Sequence, residues 1–251
     1  MSEKTDKNKL KKSRLDQLLL SRGLVASREK AQRLIMANKV RVDGQPAGKA
    51  GRLVAEDVLV EVLASEKYVG RGGLKLEGAL REFEIEVAGK LCLDVGSSTG
   101  GFTDCLLQAG AEHVFAIDVG RNQMDWRLRQ DSRVTLREGV NARHLVKGDL
   151  EREVDLIVVD VSFISLTLIL PRVFHFLLPT GNLIALIKPQ FELERQLVGR
   201  GGVVRDAAGH ERAVEKIKNF AKTQNWNWCG QMDSPITGMK GNREFLVHLR
   251  Q

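Results

Sequence analysis

The chain is poor in cysteine: Cys92, Cys105 and Cys229 are scattered along it and odd in number. No pair stands at metal-ligand spacing and no even set is available for a disulfide framework, so neither a stapled scaffold nor a zinc site is expected. Cys92 and Cys105 fall inside apolar patterns and read as small core residues. The five histidines form no triad and no metal pattern. Long apolar runs are missing too. The longest, around Leu166 to Pro171, falls far short of the roughly 20 residues that a membrane-spanning helix requires. No apolar stretch follows the basic N-terminus, which argues against a secretory signal. A cytoplasmic protein with no membrane partner and no obligate protein partner is expected. Internal repeats and low-complexity tracts are absent.

What is present is a normal apolar content and an excess of positive charge. Hydrophobic residues make up 43% of 251 residues, enough for a small and a mid-sized domain. Lys and Arg number 39 against 32 Asp and Glu, a net charge of +7 that suits a polyanionic partner. Residues 1–13 carry Lys4, Lys7, Lys9, Lys11 and Lys12 against Glu3 and Asp6 with no apolar periodicity, the pattern of a disordered basic tail.

From Arg14 the pattern turns helical. Leu15, Leu18 and Leu19 recur at helical spacing, and Gly23 ends the segment. Ser27 reads as the N-cap of a second helix with Ala31, Leu34 and Ile35 inward. Val40 and Val42 then alternate with Arg41, Asp43-Gly44 signals a turn, and Val54, Val58, Val60 and Val62 suggest further strands. Residues 14–63 thus predict a small α+β domain whose polar face holds Arg22, Arg28, Lys30, Arg33, Lys39 and Arg41.

Residues 64–73 read as a linker and 74–251 as a second domain of alternating strands and helices. Strands are expected at Leu91–Val95, Val114–Asp118, Val134–Glu138, Leu156–Asp160, Leu183–Lys188 and Phe245–Leu249. That alternation predicts an α/β, Rossmann-like fold with a mostly parallel sheet covered on both faces, its last strand antiparallel.

Chemistry gathers at the carboxyl ends of those strands, where open parallel sheets bind ligands. Leu91 to Ala111 is a strand, a glycine-rich loop and a helix. Gly96, Gly100 and Gly101 let a ligand approach the backbone, and helix amides point to the same place. Asp118 ends the second strand, 22 residues after Gly96, and suits a pair of ribose hydroxyls. The loop lacks both the G-x-G-x-x-G spacing of dehydrogenases and the lysine of a phosphate-gripping loop. Asp160 ends the strand LIVVDVS, Lys188 ends LIALIKP, Lys75 lies on the helical stretch GGLKLEGAL, and Glu244 begins the last strand. An antiparallel last strand brings Glu244 to the rim that carries the other three, where two cations and two anions can pair. Phe163 and Phe191 are candidates to stack on a base, with core or loop packing the expected role of each, and Trp226 and Trp228 are expected to pack.

Three resemblances extend this reading. The stretch RLDQLLLSRGLVASREKAQRLIMANKVRVDG resembles the S-four-type RNA-binding module. That resemblance implies phosphate contacts from Arg14, Arg22, Arg28, Lys30, Arg33, Lys39 and Arg41, which supply affinity rather than sequence choice. LDVGSSTGGFT is similar to the donor-binding motif of Rossmann-like, FtsJ-like methyltransferases. It implies S-adenosylmethionine as cofactor, held by Asp94, Gly96, Ser97, Ser98, Thr99, Gly100, Gly101 and Phe102, with Asp118 at the ribose and Glu138 near the adenine. Lys75, Asp160, Lys188 and Glu244 look like the Lys-Asp-Lys-Glu tetrad of RNA ribose 2'-O-methyltransferases.

With RGGLKL, VVDVSFISL, LIKPQFE and GNREFLVHL, the chain from Arg14 to Arg250 is similar to the TlyA, or hemolysin-A-like, family. This implies methylation of a cytidine 2'-hydroxyl in 23S ribosomal RNA and, in some members, 16S, with ribosomal RNA or subunits as partner and no metal. Lys188 is then the base or the oxyanion partner, assisted by Lys75. Other classes are a non-catalytic ribosome-assembly factor, a membrane-active hemolysin and a nicotinamide-dependent dehydrogenase. The first is disfavoured by the intact tetrad, the second by the lack of a spanning element, and the third by the loop spacing.

Overall fold

The structure is a computed structural model that describes residues 11–63 and 67–251. It divides into two compact units, residues 1–66 and 67–251. Most of the stretch read as a basic tail, residues 1–10, lies outside the described residues.

In the first unit the chain enters through β1 (Lys12–Arg14), which pairs antiparallel with β4 (Leu53–Ala55). The sequence reading placed Lys12 and Ser13 in the tail. Three residues on a two-stranded edge are too few to show a period of two, which is why the strand was not legible. Helices α1 (Leu15–Ser21) and α2 (Arg28–Met36) follow. Ser27 caps α2 as its sequence suggested, its hydroxyl accepting from Lys30 N at 3.2 Å. Asp43 and Gly44 both take positive φ, 51° and 73°, the geometry of a tight hairpin turn between β2 (Val40–Val42) and β3 (Gln45–Pro46). β5 (Val60–Val62) lies on the other side of β2. Leu15, Leu19, Ala31, Ile35 and Val40 bury almost all their surface in one core.

The second unit starts at Lys67, so residues 67–73 of the expected linker belong with it. Its elements are α3 (Gly72–Glu82), β6 (Leu91–Val95), α4 (Gly101–Gln108), β7 (His113–Asp118), α5 (Trp126–Arg129), β8 (Val134–Glu138), β9 (Val154–Val159), α6 (Leu166–Val173), β10 (Leu177–Ile187), α7 (Pro189–Glu192), α8 (Ala207–Thr223), β11 (Asn227–Asp233) and β12 (Phe245–Arg250). Seven strands form one sheet in the order β11-β12-β10-β9-β6-β7-β8. β12 is antiparallel to both neighbours, and the others run parallel to one another.

Both faces of the sheet are covered, so the central strands are apolar on both sides. Leu93, Val95, Ile157, Val159, Ala185 and Ile187 pack with residues of α6 and α8. Cys92, Val114, Ala116, Leu156, Val158 and Leu186 pack with residues of α3 and α4. The reversal of β12 pairs Phe245 with Ile187, which sets Glu244 beside the carboxyl end of β10.

Candidate active site

Asp94 is the one charge inside β6, and it is wholly buried. Its Oδ2 accepts from Thr103 Oγ1 of α4 at 2.6 Å, while Oδ1 has no partner. Burial pushes its carboxyl up to about 7. The glycine loop begins two residues later. Gly96 has φ +88°, and a Cβ there would lie 2.4 Å from the carbonyl oxygen of Asp160, so only glycine fits. Gly101 packs on the start of α3 and the residues just before it: a Cβ would meet Gly73 N at 3.0 Å and Gly70 O at 3.2 Å. Ser97 Oγ, buried in the loop, has no hydrogen-bond partner.

Asp118 closes the loop from the neighbouring strand. Its Oδ2 accepts from Ser98 N at 2.7 Å and its Oδ1 from Gly120 N at 2.6 Å. Two adjoining hollows open there, sharing Gly96, Ser98 and Asp160. The more polar one is lined by Arg71, Lys75, Ser97, Thr99, Phe102 and Gly238. The other is mostly apolar, lined by Val95, Asp118, Val119, Val140, Phe163 and Ile169.

Four charges meet at this rim as two ion pairs. Lys75 Nζ donates to Glu244 Oε2 at 2.5 Å, both side chains buried. Lys188 Nζ lies 2.5 Å from Asp160 Oδ1 and donates to Ser162 Oγ at 2.8 Å. The first contact is an ion pair whose angles fall short of a hydrogen bond, since Asp160 Oδ1 counts among the unpartnered buried atoms. Each lysine is neutralised by one carboxylate, which offsets its desolvation.

Residues 68–251 match the FtsJ-like methyltransferase family, and residues 13–60 match the S4 domain. The chain belongs to the FtsJ-like methyltransferase family. YqxC of Bacillus subtilis, provisionally named an rRNA methyltransferase, is 46% identical over 95% of this chain and 86% of its own length. The 16S/23S rRNA (cytidine-2'-O)-methyltransferase TlyA of Mycobacterium tuberculosis is 43% identical over 96% of this chain and 90% of its own. Among solved structures, a hemolysin-named protein from Streptococcus thermophilus matches with a TM-score of 0.73 and 42% identity, covering 96% of this chain and 89% of that one. An S-adenosylmethionine dependent methyltransferase from Mesorhizobium loti shares the fold alone, at a TM-score of 0.56 and 16% identity over 72% of this chain and all of that one.

Within the FtsJ-like domain, three of the expected donor contacts, Asp94, Gly100 and Glu138, line neither hollow. Glu138 pairs with Arg129, which holds its carboxylate down to about 2, and it also accepts from Gln123 N at 3.3 Å. Its visible work is to fix the 120–125 loop. Phe163, read as a packing residue, is 90% exposed at φ +65°, touching the Phe191 ring at 5.0 Å between centroids. Trp226 does pack, stacked on Phe174 at 3.9 Å. The sequence reading missed Arg71, Ser162 and Gly238. Gly238 abuts the Glu244 carboxylate so closely that a Cβ would lie 2.0 Å from Oε1. The RGG that opens α3 was the available signal for the first of them.

In the S4 unit the seven basic residues divide. Arg14 and Arg28 hold the buried Asp16 at 3.0 and 2.9 Å. Arg22 donates to the carbonyls of Glu56 and Val58, and Arg41 donates to Gly44 O. Lys30 and Arg33, three apart on α2 and so on neighbouring turns, are exposed and point to solvent; Lys39 is half-buried. Among the described residues no helix is long and apolar enough to cross a membrane, and no cluster of His, Cys, Asp and Glu could hold a metal ion.

Proposed function

We propose that this FtsJ-like enzyme transfers a methyl group from S-adenosylmethionine to the ribose 2'-hydroxyl of a cytidine in ribosomal RNA, bound in part through its S4 domain. The observation that carries this reading is the pairing of Lys75 with Glu244 and Lys188 with Asp160 beside the glycine loop. The residues present fit the donor. Unpartnered Ser97 Oγ and Asp94 Oδ1 lie beside a cradle that a Cβ would fill, next to a carboxylate and an apolar hollow. Asp94, Gly96 to Phe102 and Asp118 would hold its amino-acid and ribose parts, with Val119 and Val140 against the purine. Glu138 would act by shaping the loop over it. When bound, the donor supplies a sulfonium methyl that needs no metal to activate it.

The chain's own residues do the rest. A ribose hydroxyl is a weak nucleophile until its proton is shared or removed. Lys188, between Asp160 and Ser162, stands where it can take that proton or stabilise the developing alkoxide. With the donor bound, its sulfonium would supply the methyl group and take back the C–S electron pair, while the hydroxyl proton would pass to Lys188 or, where Lys188 acts as an ammonium on the alkoxide, to solvent. Lys75 and Glu244 hold the ribose and keep the four charges balanced. Phe163 offers an exposed ring on which a base can stack. Lys30 and Arg33 supply phosphate contacts, and Lys39 adds to them from beyond the end of α2. Arg14, Arg22, Arg28 and Arg41 join through the donors that their internal bonds leave over.

Mass mapping of ribosomal RNA from strains with and without the protein tests the reading. One cytidine ribose gaining a single methyl only in the presence of the chain is expected. Identical maps overturn the assignment to ribosomal RNA. Calorimetry with S-adenosylmethionine and NAD in turn tests the donor, with binding of the first alone expected.

A further inference from the structure

Glu192 is a buried carboxylate that the chemistry above leaves unused; its side chain is 1% exposed. It stands at the end of the turn α7, four residues after Lys188. Its Oε1 accepts from Leu166 N at 2.8 Å, and its Oε2 accepts from Ser165 Oγ at 2.5 Å. Lys216 of α8 neutralises it at 3.0 Å, donates to its backbone carbonyl at 2.6 Å and reaches Ser165 Oγ at 3.2 Å. Ser165 ends the loop that starts at Asp160, and Leu166 opens α6 after it. Two loops therefore leave adjacent parallel strands, each starting from a reactive residue, and they are tied three times. Lys188 meets Asp160 and Ser162 at the start, Phe191 meets Phe163 in the middle, and Glu192 meets Ser165 and Leu166 at the end.

We propose that Glu192 is a positioning residue for methyl transfer, clasping the Asp160–Ser165 loop to the Lys188–Glu192 loop and so fixing the Lys188 ammonium against Asp160 and Ser162. The physical case rests on where the tie is made. A bond between a carboxylate and a backbone N–H or hydroxyl is charge-assisted and directional, and here it is shielded from water. The loop it anchors has Phe163 in the left-handed region at φ +65°, a conformation that a bulky residue holds only when its surroundings enforce it. With the far end released, Phe163 can relax and Ser162, its neighbour, moves off Lys188. A small misplacement of a reacting group lowers the rate steeply while leaving ligand binding elsewhere intact. Glu192 touches neither hollow, so donor contacts stay as they are.

The proposal rests on the reading of function above and is tested in the full chain. Glu192→Gln keeps the shape but puts an amide N–H against one of two donors, and Ser165→Ala removes the hydroxyl tie together with the cap that Ser165 Oγ gives Thr167 N at 3.3 Å and its contact with Lys216. With wild-type RNA, kcat is expected to fall at least tenfold in Glu192→Gln and less in Ser165→Ala. KM for RNA and the Kd for S-adenosylmethionine stay within twofold. A kcat within twofold of wild type in a folded Glu192→Gln protein overturns the clasp. So does a loss shared equally between kcat and donor affinity, the mark of general loosening. A wild-type chain that methylates no RNA overturns the reading of function itself, and the role of Lys188 with it.

Discussion

Each of the two units contains a wholly buried aspartate, and the two charges meet opposite fates. Asp16 is surrounded by donors: Arg14, Arg28, Gln32 and the amide of Gln17 all reach it within 3.1 Å. The hydrogen bond from Arg14, ahead of the others, holds its carboxyl well below the usual carboxylate range. Asp94 has one donor, Thr103, and an empty oxygen, and burial pushes it up to about 7. The first is a charge that the fold has completed. The second is a charge left incomplete beside another orphaned atom, Ser97 Oγ. Native proteins pair most buried polar atoms, so a group of unpaired ones marks a place built for something else to bind. The difference separates charges that stabilise the molecule from charges that equip it.

The strongest way to break that comparison is at Lys188. If the rim charges serve chemistry, Lys188→Ala should lower methyl transfer about a thousandfold. Donor affinity should stay near wild type, because the lysine acts in the transition state. Its partner Asp160 keeps 20% of its side chain exposed and so can be hydrated in the variant. The melting temperature should therefore move little. A turnover within tenfold of wild type on matched RNA would place Lys188 with the structural charges instead.

Asp16 should behave in the reverse way. Asp16→Ala leaves two half-exposed guanidiniums without their shared anion and removes an acceptor for the first turn of α1. The small unit should lose about 2–3 kcal/mol. Affinity for S-adenosylmethionine, carried by the other unit, should be unchanged. RNA affinity should fall as the helices loosen, even though Arg14 and Arg28 are freed to bind phosphate. A variant that binds RNA more tightly with unchanged stability would show that Asp16 restrains an RNA-binding face rather than building it.

Much of this was legible in the sequence because two periodicities are strong. The apolar runs at Leu91–Val95 and Leu183–Ile187 and the glycine loop between strand and helix carry the Rossmann-like order, down to the reversed last strand. Asp160 and Lys188 were legible because each is a single charge closing an apolar run, and strand direction sends them and Glu244 to one rim, which Lys75 reaches from α3. Partners were not legible. Nothing in LIKPQFE says that Glu192 reaches back 27 and 26 residues to Ser165 and Leu166, or that Glu138 is taken by Arg129. Such contacts depend on how loops close in space, which no local pattern encodes. Basic residues on a helix face likewise look alike in sequence, whether they end on Asp16, as Arg28 does, or point to solvent, as Lys30 does.

The smallest expected effect is also the most direct comparison of the two aspartates, and its sign depends on pH. Asp94 has a carboxyl raised from 3.8 to about 7 in the folded chain. Between those values the unfolded state releases its proton first, so the folded state binds more protons and stability falls as pH rises through that window. Below about 4 both states are protonated and above about 7 both are ionised, so the contribution is flat outside it. Asp16, with its carboxyl lowered, works the other way: its stabilisation is present above the unfolded value and is lost as pH falls. Asp94→Asn removes the ionisation while keeping an oxygen for Thr103. The full shift corresponds to about 4 kcal/mol, but the new amide N–H is itself buried without an acceptor, which costs about 1–3 kcal/mol. The variant should therefore be the more stable protein at pH 8 by about 1–2 kcal/mol. That advantage should shrink steadily toward pH 4, as read from melting temperatures at matched ionic strength. A constant difference across that range would mean that Asp94 does not titrate there. An advantage growing toward acid would mean that its charge is stabilised in the fold, as that of Asp16 is.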